Sequence, residues 1–220
     1  MRSFPIMLNV HGRLAVVVGA GDVGLRKVRS LLEAGAKVRL VAGVGGNPQS
    51  AIRNPQSDQP NGLDVIRQNY RKEHVAGAVL VFACTDDRQV NARIAADARA
   101  AGALVNAVDQ PNDCDFLMPS TASDGDVMLA VGTGGAAPAL AAWLRRRIAE
   151  ALPERIGEFA AALAELREAA ATSLPDAQER MAAMKALASE DSYREFLKTG
   201  IEGLRVRAAG LGVRTRACSL

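Results

Sequence analysis

The chain predicts an α/β fold: a Rossmann-type parallel sheet, then a small α+β region, then a C-terminal helical region. Three observations predict it. Strand-like and helix-like stretches alternate through the first half, as a parallel sheet covered by helices requires. A β-branched run at Val16–Val18 ends in Gly19-x-Gly21-x-x-Gly24 and gives way to a helix-compatible stretch from Leu25 to Glu33. Beyond about residue 151 the alternation stops, and Ala, Leu, Glu and Arg recur at helical spacing.

The elements follow in order. Leu14–Val18 reads as a strand, Asp22–Ala34 as a helix and Lys37–Ala42 as the next strand. Between Gly43 and Gly62 the pattern lapses. Asn-Pro-Gln-Ser occurs at 47–50 and again at 54–57, which reads as a mobile loop with a small internal duplication. Val65–Ile66 is a short strand, Ala78–Ala83 a buried one, Arg88–Ala101 a helix and Ala103–Val108 a further strand. The second region holds one clear strand, Val127–Val131. The Gly132-Thr-Gly-Gly-Ala-Ala-Pro138 segment follows, then a helix through Trp143 and Arg145–Arg147. Pro153 and Pro175 fit helix starts or linkers, and the basic, glycine-containing stretch from Val206 to Leu220 reads as a partly disordered tail. The expected domains are therefore 1–112, a dinucleotide-binding domain, 113–150, a dimerisation region, and 151–220, a helical domain with a basic tail.

Composition narrows the classes. The 220 residues are 49% hydrophobic, enough for a core and for more than one small domain. Aromatics make up 4%, so Ala, Val and Leu must build that core. Apolar runs such as Ala78–Cys84 are too short to cross a membrane. The first residues show no long apolar stretch or cleavage-like site, so a soluble, cytoplasmic protein is expected. Cys84, Cys114 and Cys218 lie far apart with no CxxC, which suggests neither a disulfide framework nor a zinc site. His11 and His74 show no ligand spacing, and no metal site is expected. A net charge of +3 fits an acidic small ligand and gives no reason to expect nucleic acid as a partner.

The glycine motif carries a mechanism. Gly19 permits the tight turn off the strand, Gly21 lets a pyrophosphate approach the backbone, and Gly24 lets helix and strand pack closely. The helix N-terminus, with Asp22 and Val23, offers N–H groups to the phosphates. Flanking strand and helix signals are the context that confirms such a motif. An NAD site usually ends its second strand with an acid that binds the ribose. Here that strand ends Leu40-Val-Ala-Gly43-Val44, so the ribose is expected to be held by backbone groups at Gly43 and Val44. Arg39 alternates with Val38 and Leu40; it is read either as a ligand for a 2′-phosphate or as a solvated strand residue.

Asp109 follows an apolar strand and precedes Pro111, placing it at a strand's carboxyl end, where α/β sites lie. It is read as a general base, with an Asx-turn residue before proline as the standing alternative. Asp86 and Asp87 are read as helix caps.

Several segments recur together in one family. They are Leu8-x-x-x-Gly12-Arg13, the glycine motif with Arg26-Lys27, Ala83-Cys-Thr-Asp-Asp87 with Asn91, Val105-Asn-Ala-Val-Asp109-x-Pro111, Phe116-Leu-Met-Pro-Ser120 and Thr133-Gly-Gly-Ala-Ala-Pro138. Over roughly residues 3–200 the chain resembles the precorrin-2 dehydrogenase/sirohydrochlorin ferrochelatase family, the N-terminal module of siroheme synthase. The resemblance implies NAD-dependent oxidation of precorrin-2 to sirohydrochlorin and insertion of ferrous iron to give siroheme. It also implies a homodimer exchanging contacts through the second region, and no C-terminally fused methyltransferase domain. By motif match, Gly21, Asp22, Val23, Gly43, Val44 and Thr85 contact NAD, and Asp109 is the acid used in the chemistry. Thr133, where relatives commonly carry Ser, falls with Gly134 in the substrate-binding segment, and Gly132 replaces a second small polar residue.

A polycarboxylate substrate calls for cations, and arginine pairs carboxylates bidentately. Arg145, Arg146, Arg147 and the arginines at 205, 207, 214 and 216 are candidates, with Arg146 assigned to the substrate. Consecutive helical residues point in different directions, so a solvated helix face remains the competing reading for each. A regulatory module binding NAD without chemistry is the alternative function; it would leave the Asp109 and Thr133 segments unexplained. A short-chain reductase needs Tyr-x-x-x-Lys, whereas Tyr70 and Tyr193 are followed four places on by His74 and Leu197.

Overall fold

A computed structural model describes residues 3–43 and 61–215. They form two compact units, residues 1–118 and 119–220. The duplicated segment and Val44 lie outside the described residues.

The first unit is built on five parallel strands. In chain order these are β1 (Leu14–Val18), β2 (Lys37–Ala42), β3 (Leu63–Arg67), β4 (Leu80–Ala83) and β5 (Leu104–Ala107). In space the order is β3-β2-β1-β4-β5. The order reverses between β1 and β4, and an open α/β sheet binds ligand beyond the carboxyl ends of strands at such a point. Helix α1 (Asp22–Glu33) and helix α2 (Arg88–Ala100) cover opposite faces. Alternation along the strands makes the two faces. Val16, Val18, Val81, Ala83 and Val105 pack with Ile94, Ala95 and Ala98 of α2. Val17, Leu40, Leu80 and Phe82 pack with Leu25, Val28 and Leu31 of α1. The central strands are buried on both sides and read as nearly unbroken apolar runs, as parallel strands do. The predicted Rossmann-type sheet is what the structure shows.

The second unit begins with an antiparallel hairpin, β6 (Ser120–Asp124) and β7 (Val127–Val131). The partner strand β6 has no counterpart in the sequence reading. Its residues, Ser-Thr-Ala-Ser-Asp, lack the alternation and β-branched content that mark a strand. Gly125, at φ 54, turns the hairpin. Helix α3 (Pro138–Ala149) packs on both strands. Four further helices follow: α4 (Ile156–Ser173), α5 (Ala177–Leu187), α6 (Glu190–Thr199) and α7 (Ile201–Gly210). Their core is Phe159, Leu166, Leu187, Phe196, Leu204 and Val213.

Asp124 ties the hairpin to this bundle. The Asp124 carboxylate accepts a 2.8 Å hydrogen bond from the Gly157 N–H. A Cβ on Gly157 would fall onto the Asp124 carbonyl, so this approach needs glycine.

The tail differs from its expectation. Helix α7 runs through Val206 to Gly210, and Val213 is fully buried, its N–H donating to the Ala208 carbonyl. Over residues 206–215 Ala208 and Val213 are buried in the helical core and the Arg214 N–H donates to Ser173 Oγ at 2.9 Å, while residues 216–220 lie outside the described residues. Among the described residues, no helix is long and apolar enough to cross a membrane.

Candidate functional site

The glycine loop sits at the carboxyl end of β1. Gly19 adopts φ 109, a left-handed conformation, and a Cβ there would strike the Cys84 carbonyl. At Gly24 a Cβ would strike the Gly19 carbonyl. These two glycines are therefore demanded by backbone packing. Gly21 differs: a Cβ there would meet nothing within 4 Å. Gly21 is the N-cap of α1, with no side-chain hydrogen bond capping the helix. Open space in front of an uncapped helix N-terminus fits a dinucleotide pyrophosphate. Asp22 and Val23 form the first turn beside it.

Thr85 lies just past β4. Its N–H donates to Asn91 Oδ1 at 3.1 Å, its hydroxyl donates to the same oxygen at 2.7 Å, and its carbonyl accepts from Asn91 Nδ2 at 2.9 Å. Asn91 itself is buried. Asp87 caps α2 through Oδ1, which accepts from Gln89 and Val90 N–H at 2.8 and 3.2 Å. The turn between β4 and α2 is thus fixed by its own side chains.

Gly19, Gly43 and Thr85 line one cavity of about 340 Å³ at the strand ends, joined by Asn69, Tyr70 and Arg93. The last three were missed in the sequence. Asn69 was findable as a polar residue just beyond β3. Arg93 was not, because it reaches the cavity from the second turn of α2. Tyr70 donates to Asp97 Oδ2 at 3.0 Å, and burial together with this bond raises its pKa, so it remains a neutral phenol.

Arg39 is already engaged. Its Nε lies 3.4 Å from Asp64 Oδ2, and Nη1 donates to the His74 carbonyl at 2.9 Å. The guanidinium links β2 to β3 and to the turn at Lys72–Val75, so Arg39 is not a freely solvated strand residue. Cys84 is half-buried, and burial pushes its thiol up to about 11.

Asp109 follows β5 and stands at φ 57, in the left-handed region that non-glycine residues seldom occupy. The neighbouring backbone is firmly held. Val108 N–H donates to the Ala83 carbonyl at 2.9 Å, and Gln110 Nε2 donates to the Arg88 carbonyl and to Asp113 Oδ2 at 3.2 and 3.0 Å. Asp109 is exposed, and its carboxylate has no hydrogen-bond partner among the described residues. An Asx turn would need one. The Gln110 N–H reaches back to the Ala107 carbonyl at 3.4 Å, so Asp109 takes the left-handed position of a tight turn, which Asp tolerates better than most residues.

Thr133 and Gly134 lie in the second unit, in the loop entering α3. The Thr133 hydroxyl oxygen accepts from Ala137 N–H at 3.2 Å, while Gly134 and Gly135 take φ 62 and 85. Arg146 lies exposed on α3; Arg147 is 3.7 Å from Glu150, and Arg145 Nε is buried without a partner.

Residues 6–120 match a family model described as putative NAD(P)-binding. A siroheme synthase of Pseudomonas aeruginosa (strain LESB58) is 36% identical over 180 residues, covering 82% of this chain and 38% of that protein. A siroheme synthase of Nitrosospira multiformis is 41% identical over 168 residues, covering 76% of this chain and 35% of that protein. The chain spans little more than a third of the length of these curated relatives. Among solved structures, SirC, a precorrin-2 dehydrogenase, superposes with a TM-score of 0.73 at 18% identity, covering 94% of this chain and 100% of that one. That likeness is one of fold. The resemblance read from the motifs holds over most of the chain.

Proposed function

The chain belongs to the putative NAD(P)-binding family, and from that premise we propose that it oxidises precorrin-2 to sirohydrochlorin with NAD in siroheme biosynthesis. The observation that carries this reading is Asp109: a free carboxylate in a left-handed backbone just past the carboxyl end of β5, as the glycine loop lies just past the carboxyl end of β1. Oxidation removes two hydrogens from the macrocycle, one as hydride and one as proton. Bound NAD supplies the hydride acceptor. Asp109 takes the proton, and a positioned general base contributes ~10²–10⁴-fold in rate.

Gly19, Gly21, Asp22, Val23 and Gly24 hold the pyrophosphate; Gly43, Val44 and Thr85 hold the ribose and nicotinamide portions. The engagement of Arg39 with Asp64 and His74 favours NAD over its 2′-phosphorylated form, since a second phosphate would need that guanidinium free. Thr133, Gly134 and Arg146 serve the tetrapyrrole. Ferrous iron is a further substrate. Its insertion displaces two pyrrolic protons, for which the same Asp109 carboxylate is the base.

The working form is a cytoplasmic homodimer joined through 113–150, with 1–112 binding NAD and 151–220 as the helical domain. Helix α3 supports the dimer: it buries Ala141 but leaves Leu140, Trp143 and Ile148 between 41% and 50% exposed. A two-fold partner is the common way to cover such a face.

The test is anaerobic incubation with precorrin-2 and NAD, followed by absorbance, with and without ferrous iron. Sirohydrochlorin formed only with NAD supports the reading. NAD binding with no turnover indicates a sensor module instead.

A further inference from the structure

The α1 side of β4 and β5 carries a cation that the cofactor loop does not use. Along β4, Leu80 and Phe82 face α1. Asn106 of β5 stands beside Phe82 in register, and Leu104 beside Leu80. Phe116 meets Phe82 edge-on, with centroids 5.6 Å apart. Helix α1 packs on β1, β2 and β4, and Leu104 is left 40% exposed. The result is an aromatic ledge, with Phe82 itself buried.

Lys27 projects from α1 over this ledge. Its Nζ is 5.8 Å from the centroid of the Phe82 ring. The ammonium has no ion pair with a carboxylate among the described residues. Burial lowers its pKa, and the neighbouring Arg26 adds to the effect. A half-buried ammonium is costly without an anion, and contact with an aromatic face offsets part of that cost. Phe82, under the Lys27 ammonium, is on β4, one of the two strands between which the strand order reverses. It lies on the β4–β5 half, the half that ends in Asp109.

We propose that the Lys27 ammonium receives a carboxylate of the substrate and holds it against the β4–β5 half of the sheet. This rests on the reading of the substrate as a polycarboxylate tetrapyrrole. Lys27 is a binding residue here, and the proton chemistry stays with Asp109.

The test uses Lys27→Met, which keeps the stem over Phe82 and removes the charge, and Lys27→Arg, which keeps the charge. Binding of sirohydrochlorin and of NAD is titrated separately, and initial rates are measured with precorrin-2. The expected result for Lys27→Met is roughly tenfold or greater loss of sirohydrochlorin affinity, as for a charged hydrogen bond. KM for precorrin-2 rises in proportion, NAD affinity holds, and the salt dependence of tetrapyrrole binding weakens. Lys27→Arg recovers most of the loss.

If Lys27→Met binds sirohydrochlorin like the wild type, the assignment of Lys27 falls while the dehydrogenase reading stands. If NAD affinity drops and sirohydrochlorin affinity does not, the ammonium serves a cofactor phosphate and the proposal is wrong. A wild type that binds NAD but no tetrapyrrole overturns the substrate reading and this inference together. Should Lys27→Met prove insoluble, Lys27→Gln is read against the same outcomes.

Discussion

Asn91 of α2 holds Thr85 through three hydrogen bonds, occupying its N–H, its hydroxyl and its carbonyl from a single buried carboxamide. The contact freezes the turn between β4 and α2 at the rim of the cofactor cavity. Replacing Asn91 with Ala leaves the Thr85 backbone groups unpaired in a part-buried site. We expect about 1–3 kcal/mol of destabilisation in urea titration, together with weaker NAD binding by calorimetry. Stability loss with unchanged NAD affinity would remove Thr85 from the cofactor site.

Gly21 and Gly24 should fail in opposite ways. Gly21→Asp adds a carboxylate where space is open, so the chain folds but repels the pyrophosphate, and NAD binding vanishes in calorimetry. Gly24→Ala forces a Cβ onto the Gly19 carbonyl, so stability falls by about 1–3 kcal/mol as in an overpacked core. Unchanged NAD affinity in Gly21→Asp contradicts the pyrophosphate assignment.

Asp109 stands in a backbone conformation that favours glycine. Glycine takes φ 57 without strain, so Asp109→Gly should match or exceed the wild type in unfolding free energy, by up to about 1 kcal/mol in urea titration. Dehydrogenase activity should fall ~10²–10⁴-fold while NAD affinity holds. Near wild-type turnover would reduce Asp109 to a turn residue. Iron insertion should fall in parallel, and its survival alone would separate the two activities.

The hairpin anchor is testable by stability alone. Asp124→Ala removes the acceptor for the Gly157 N–H, at a cost of about 1 kcal/mol as for a lost helix cap. Gly157→Ala should cost more, since its Cβ has no room. Equal midpoints for both variants and the wild type in thermal denaturation would show the tie to be idle.

Sedimentation at micromolar concentration should give a dimer, and Trp143→Glu should give monomers. Trp143 is 50% exposed on α3 between Leu140 and Ile148, so a charge there disturbs no core of its own unit. A wild-type monomer contradicts the dimer.

The parallel sheet was legible because its strands are buried on both faces. Leu14–Val18 and Lys37–Ala42 appear with the predicted bounds, since an apolar β-branched run flanked by glycine or charge has few other uses. Strand β6 was illegible because a solvated hairpin strand of Ser, Thr and Asp carries no hydrophobic period. The glycine loop and Asp109 could be read from position along the chain. Asn69, Tyr70 and Arg93 reach the cavity through tertiary placement, which spacing does not encode. Arg39 shows the reverse limit: its alternation with apolar neighbours was plain, but its partners Asp64 and His74 lie 25 and 35 residues away.

The Gly19 turn and the Cys84–Thr85 turn are in backbone contact, and each is bonded back to its own neighbours. Neither can shift without carrying the other. The two turns therefore move as one unit, and a ligand bound at them would demand little reorganisation there. Amide exchange at Gly19, Cys84 and Thr85 should already be slow in the empty protein, and adding NAD should slow it little further.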